Sequence, residues 1–84
     1  MKIFVGNLAD KTAEKDLAFA FEAFGEVDKV NIARKSESGQ SRGFGFIDMS
    51  TVSEANAAID ALNGASLHGH ELRVSRARRR SDDA

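Results

Sequence analysis

The sequence predicts an α+β sandwich in the order βαββαβ, a four-stranded antiparallel sheet with two helices on one face. Three observations carry that expectation. Four segments alternate apolar and polar residues with period two, as strands with one buried face do. Two segments between them repeat apolar residues at i, i+3, i+4 and i+7, the stripe of an amphipathic helix. The chain has no proline to interrupt any of the six, and Gly-Asn or Asn-Gly pairs punctuate them.

"KIFVGNL" (2–8) is branched, aromatic and alternating, and stops at Gly6-Asn7, so it reads as the first strand. Thr12 is the expected N-cap of the first helix, whose stripe of Leu17, Ala20, Phe21 and Phe24 closes at Gly25. "VDKVNIAR" (27–34) is the second strand, and "KSESGQS" (35–41) a polar connection suited to a long hairpin. "RGFGFIDM" (42–49) is the third strand. Thr51-Val52-Ser53-Glu54 has the spacing of a capping box, and Ala55, Ala58, Ile59 and Leu62 form the second helical stripe. "ELRVSRA" (71–77) is the fourth strand, with Leu72 and Val74 inward. Right-handed crossovers put both helices on the same side of the sheet, which gives the ferredoxin-like class with strand order 4-1-3-2. Residues 1–77 are expected to form one domain, and 78–84, "RRRSDDA", a short flexible tail of mixed charge.

Twelve basic residues oppose thirteen acidic ones, a formal charge of −1, so total charge does not favour a polyanionic partner. The distribution is polarised: arginines crowd the last strand and tail, and acids the helices. Without cysteine there is neither disulfide nor thiolate metal site, which fits an intracellular, cytoplasmic protein, or a nuclear one in a eukaryote. No apolar run approaches the roughly 18 residues of a membrane helix, so no membrane partner is expected. His68 and His70 flank Gly69 with no further ligand nearby, the pattern of a turn and not of a metal site. "GQSRGFG" (39–45) leads into a strand, whereas a phosphate-cradling loop opens a helix. Neither cofactor nor metal is expected.

Side-chain parity decides where function lies. Ile3, Val5, Val30, Ile32, Ile47, Met49, Leu72 and Val74 are expected to face the helices, with Gly43 and Gly45 leaving room for Phe21 and Phe24. The open face then carries Lys2, Phe4, Lys29, Asn31, Arg42, Phe44, Phe46, Asp48, Arg73 and Ser75. The reverse assignment would bury Arg42 and Asp48 and expose Ile47 and Met49, a poor exchange given the cost of burying charge. Three exposed rings with flanking cations suit a flat, anionic partner, because bases stack on rings while Lys and Arg meet phosphates.

"RGFGFIDM" (42–49) resembles the octamer signature of the RNA recognition motif, and "IFVGNL" (3–8) resembles the hexamer signature of that family's first strand. The chain is similar to small single-motif RNA-binding proteins of bacteria, including cyanobacteria, and to the RNA-binding half of plant glycine-rich proteins. The resemblance implies that Phe4 and Phe46 each stack a base, that Phe44 packs against sugar or between nucleotides, and that Arg42 binds a phosphate. Met49 departs from the aromatic usual at the octamer's last position, where parity buries it. Asn7, Asn31 and Asp48 are expected to meet base edges, with a strand-closing turn as the other role for Asn7. Lys2, Lys29, Arg73, Ser75, Arg76 and Arg78 are expected to supply phosphate and polar contacts; for the tail the plain alternative is solvation.

The expected function is therefore non-enzymatic binding of single-stranded RNA, with single-stranded DNA sharing the chemistry, by a monomer acting as a post-transcriptional regulator or RNA chaperone. The alternative is a protein-interaction module around Phe19, which falls outside the helical stripe and is either covered by loops or, with Ala23, part of a protein-binding surface. An enzyme of acylphosphatase layout would need an anion cradle after the first strand, where "GNLADKT" (6–12) supplies only Lys11.

Overall fold

The computed structural model describes residues 1–34, 37–39 and 41–77, with the side chains of residues 41 and 42 outside the described set. The elements are β1 (Lys2–Gly6), α1 (Glu14–Glu22), β2 (Val27–Arg34), β3 (Ser41–Met49), α2 (Val52–Leu62), β4 (Ser66–Leu67), β5 (His70–Glu71) and β6 (Arg73–Arg76). The main sheet runs β2-β3-β1-β6 and is antiparallel throughout, the expected 4-1-3-2 order with β6 as the fourth long strand. The tail at 78–84 lies outside the described residues.

The register shows the parity directly. Val5 pairs with Gly45 on one side and Val74 on the other, while Phe4 pairs with Phe46 and Ser75. Ile3, Val5, Ile32, Ile47, Met49, Leu72 and Val74 are buried with Leu17 and Phe21 of α1 and Ala55 and Ala58 of α2. Val30, Phe24, Ile59 and Leu62 pack half-buried around them. α1 packs against the edge strand β2, and α2 against the other edge strand β6 and against β3.

Neither helix start is capped as the sequence predicts, although α2 begins at the expected residue. Ala13, and not Thr12, is the N-cap of α1. The amide of Thr12 instead donates to the Ala9 carbonyl at 3.0 Å, and its hydroxyl is enclosed with no hydrogen-bond partner among the described residues. Asp16 accepts from the Ala13 amide at 2.9 Å, which is half of a capping box; alanine has no side chain to complete the other half. At α2, Thr51 is the N-cap as expected, but its side chain makes no capping bond. Glu54 does not close a box either: its side chain lies over Gly25, where an added Cβ would collide with the Glu54 Cβ at 2.7 Å.

A second difference is the small hairpin of β4 and β5, which the sequence pattern does not predict. Its two-residue turn is His68-Gly69, with φ of 52° and 82°. Two positive φ values in succession are what a tight hairpin of matching twist requires. Among the described residues no group of three or more His, Cys, Asp or Glu could hold a metal. His68 Nε2 instead stands 3.4 Å from Asp16 Oδ2, an ion pair when the imidazole is protonated.

The first turn of α1 gives a pH dependence. Arg34 donates to Glu14 at 2.7 Å, and that bond is the main reason the Glu14 carboxyl titrates below its usual range. Asp16 is also lowered, chiefly by the Ala13 amide. A carboxylate with a lowered folded pKa adds stability above its unfolded value, about 4, and that stability is lost as pH falls through the folded value. The melting temperature is expected to fall as the pH is taken from about 5 to about 2. A Glu14→Gln/Asp16→Asn variant should show a shallower fall over the same window; an identical profile would refute this assignment.

Candidate nucleic-acid interface

Three rings form one cluster on the open face. Phe4 comes from β1, Phe44 and Phe46 from β3, and the register sets Phe4 opposite Phe46 and Phe44 opposite Gly6. Phe4 and Phe44 lie 6.0 Å apart between centroids at 28°, close to stacked. Phe46 stands edge-on to both, 5.8 Å from Phe4 at 64° and 6.1 Å from Phe44 at 84°. These separations fall in the range of favourable aromatic pairs, so the rings hold one another in place. All three are half-buried by their neighbours and keep the rest of their surface in solvent, on the side away from both helices.

Gly6 belongs to this cluster as well as ending the first strand. An added Cβ there would meet the Phe4 ring at 2.9 Å and the Arg73 Cβ at 3.8 Å. The absence of a side chain lets the Phe4 ring lie over the end of β1 beside Arg73. The spacing Phe4-Val5-Gly6 was the available signal, since residues two apart share a face.

The atoms nearest the octamer glycines belong to β2 and to Leu8, and not to Phe21 or Phe24. A Cβ on Gly45 would stand 2.7 Å from the Asn31 carbonyl oxygen and 3.1 Å from Ile32 Cα, so this glycine permits close approach of the β2 backbone. Gly43 has φ +88° next to a register shift between Ile32 and Arg34, a conformation that favours glycine. Its carbonyl accepts from the Leu8 amide at 2.9 Å, linking β3 to the chain leaving β1.

The flanking polar residues divide into two groups. Lys2 and Lys29 are both in register with Asp48, on either side of it, and all three share the ring face. The described ion pairs are elsewhere, and Lys2 Nζ sits 5.5 Å from the Phe46 centroid, within cation–π reach. Asn31 is opposite Phe46, Ser75 opposite Phe4 and Arg73 opposite Gly6, so these three also share the ring face.

Arg76 does not join the rings. It pairs with Ile3 and has the parity of Val74, which puts it on the helix side at the exposed end of β6. Asn7 has a left-handed φ of 61° and donates from Nδ2 to the Glu71 carbonyl at 2.7 Å. It thus closes β1 against the small hairpin, which is the second of its two expected roles. The expected contact from Arg42 concerns a side chain outside the described set, and Arg78 lies outside the described residues.

Phe19 is not covered by loops: it is 79% exposed on α1, with exposed Ala23 one turn on. Among the described residues no helix is long and apolar enough to cross a membrane.

The family model described as RNA recognition motif matches residues 3–73 of this chain. RbpA of Nostoc sp. (strain PCC 7120 / SAG 25.82 / UTEX 2576) is 42% identical over 82 residues, 98% of this chain and 80% of that protein. Glycine-rich RNA-binding protein 4, mitochondrial, of Arabidopsis thaliana is 42% identical over 80 residues, 95% of this chain and 59% of that protein. The crystal structure of RNA Binding Protein PG1 superposes with a TM-score of 0.91 at 36% identity, covering 95% of this chain and 96% of that one. A chain of the Sxl-lethal protein/RNA complex superposes with a TM-score of 0.89 at 29% identity, covering 93% and 47% respectively.

Proposed function

From the chain's membership of the RNA recognition motif family, we propose that it binds single-stranded RNA on the open face of its sheet. This is a family of RNA-binding modules and not of enzymes, in keeping with the expected lack of catalysis. The observation that carries the reading is the ring cluster: an apolar surface in solvent, held by its own packing and bordered by Lys2, Lys29 and Arg73. Bases stack on Phe4 and Phe46, Phe44 supports the sugar between them, and the three cations meet phosphates. Asn31 and Asp48 reach base edges at the rim. Stacking accepts any base, so affinity comes from rings and cations while sequence preference comes from the polar rim. Single-stranded DNA shares the bases and phosphates this surface would meet, and the biological role is that of a post-transcriptional regulator or RNA chaperone.

Salt dependence tests the proposed division of labour. Three phosphate contacts on a single strand give a slope of about −2 in log affinity against log salt concentration, from about −0.7 per contact. Fluorescence anisotropy of a labelled RNA oligomer over a salt series measures it. A slope near zero would remove the cations from the binding surface.

A second reading, a protein-interaction surface on α1, rests on the exposure of Phe19. It predicts a partner that survives nuclease treatment and is lost in Phe19→Ser, with RNA affinity unchanged.

A further inference from the structure

Beside the rings, at the end of β1, lies a polar groove of about 430 Å³ lined by Asn7, Asn63, Gly64, Glu71, Leu72 and Arg73. That volume is within the range of small-ligand sites. Its walls are built by hydrogen bonds and not by chance proximity. Asn7 Nδ2 donates to the Glu71 carbonyl at 2.7 Å, and Asn63 Oδ1 accepts from the Val74 amide at 3.1 Å. The Gly64 amide donates to the Leu72 carbonyl and the Leu72 amide to the Ala65 carbonyl, each at 2.8 Å. Among the described residues, neither the Glu71 carboxylate nor the Arg73 guanidinium has a hydrogen-bond or ion-pair partner. Glu71 Oε2 stands 3.7 Å from where a Gly64 Cβ would be, so the missing side chain leaves the space beside the carboxylate open.

The groove is continuous with the ring cluster through Arg73, which is paired with Gly6 beneath the Phe4 ring. A strand whose base stacks on Phe4 therefore brings its neighbouring nucleotide to the groove. The two uncommitted groups are complementary in chemistry. A carboxylate only accepts hydrogen bonds, and a guanidinium only donates them. Guanine is the base that offers adjacent donors on one edge, N1–H and the N2 amine, and adjacent acceptors on another, O6 and N7.

We propose that this groove is a guanine subsite, in which Glu71 accepts from the N1–H and N2 amine and Arg73, giving up its phosphate contact when guanine is present, donates to O6 and N7. The subsite rests on the reading of the ring face as an RNA surface. It adds a base choice that the rings do not make.

The test compares a uridine hexamer with hexamers carrying one guanosine, inosine or adenosine at each position in turn. Affinities are measured by anisotropy, and amide shifts at Asn63, Gly64 and Glu71 by NMR. The expected result is about tenfold tighter binding of a guanosine hexamer than of the adenosine one at the same position. Inosine, which lacks the N2 amine, should fall between. The guanosine hexamer should shift the groove amides, and Glu71→Gln should abolish its advantage while leaving uridine-hexamer affinity unchanged. Glu71 is exposed and its side chain is unpaired, so the variant keeps the fold. Equal affinities for guanosine and adenosine at every position, or an advantage that survives Glu71→Gln, would overturn the subsite while leaving the ring-face reading intact. Failure of every hexamer to bind would overturn both.

Discussion

Replacing Phe4 and Phe46 together by alanine is expected to weaken single-stranded RNA binding by at least about 30-fold, from about 1–3 kcal/mol per stacked base. The fold should survive, because both rings stand on the face away from the helices and neither belongs to the buried core cluster. Each ring is also a partner of Phe44, so some stability is lost with the pairs, about 0.5–1.5 kcal/mol each beyond area. Circular dichroism of the variant should keep its native form with a lowered melting temperature. Lys2→Ala is a useful contrast, since it removes a cation over Phe46 and a phosphate contact but leaves every ring in place. It should reduce affinity modestly and make the salt slope shallower by about 0.7. A double ring variant that is folded and binds RNA with unchanged affinity would exclude the sheet face as the binding surface.

Gly45→Ala is expected to destabilise the domain by about 1–3 kcal/mol, the usual range for overpacking a close-fitting interior. The new Cβ would stand 2.7 Å from the Asn31 carbonyl oxygen and 3.1 Å from Ile32 Cα, both backbone atoms of β2 that no rotamer change can move away. The cost falls on the pairing of β2 with β3. For a domain of this size that corresponds to a fall of about 5–20 °C in melting temperature. Because Phe44 and Phe46 flank the site in sequence, affinity should drop as well, even where the variant remains folded. An unchanged melting temperature would show that β2 and β3 have slack at Gly45.

Both predictions use residues whose position was legible in the sequence, though for Gly45 the reason was not. Period two in "RGFGFIDM" and "KIFVGNL" assigned the rings to one face and Ile3, Val5, Ile47 and Met49 to the other, because burying Arg42 and Asp48 would cost far more than exposing three rings. That inference needed only the pleat of a strand. The role of Gly45 depends on how near the neighbouring strand approaches, which is a tertiary distance that no local pattern encodes. The sequence points to Phe21 and Phe24 as what the missing side chain admits; the atoms nearest to it are those of β2.

Other features were illegible for related reasons. Thr12 is a better intrinsic N-cap than Ala13, but Asp16 reaches back to the Ala13 amide and the chain before it is committed to a turn at Ala9. Glu54 had the spacing to close a box on Thr51 and instead covers Gly25 on a distant segment. The strands β4 and β5, at two residues each, are too short to alternate. Only the His68-Gly69 pair hinted at the hairpin, and with it the groove that Glu71 and Arg73 border. Arg76 followed from parity alone: two residues beyond Val74, it belongs to the opposite face from Arg73 and Ser75.

The most direct measurement is an NMR titration of the isotopically labelled protein with a short single-stranded RNA, mapping amide shifts onto the structure. Shifts concentrated in β1 and β3 around Phe4, Phe44 and Phe46, extending to Lys2, Asn31 and Arg73, are the expected result. Shifts confined to α1 around Phe19 and Ala23, with the ring face silent, would contradict it.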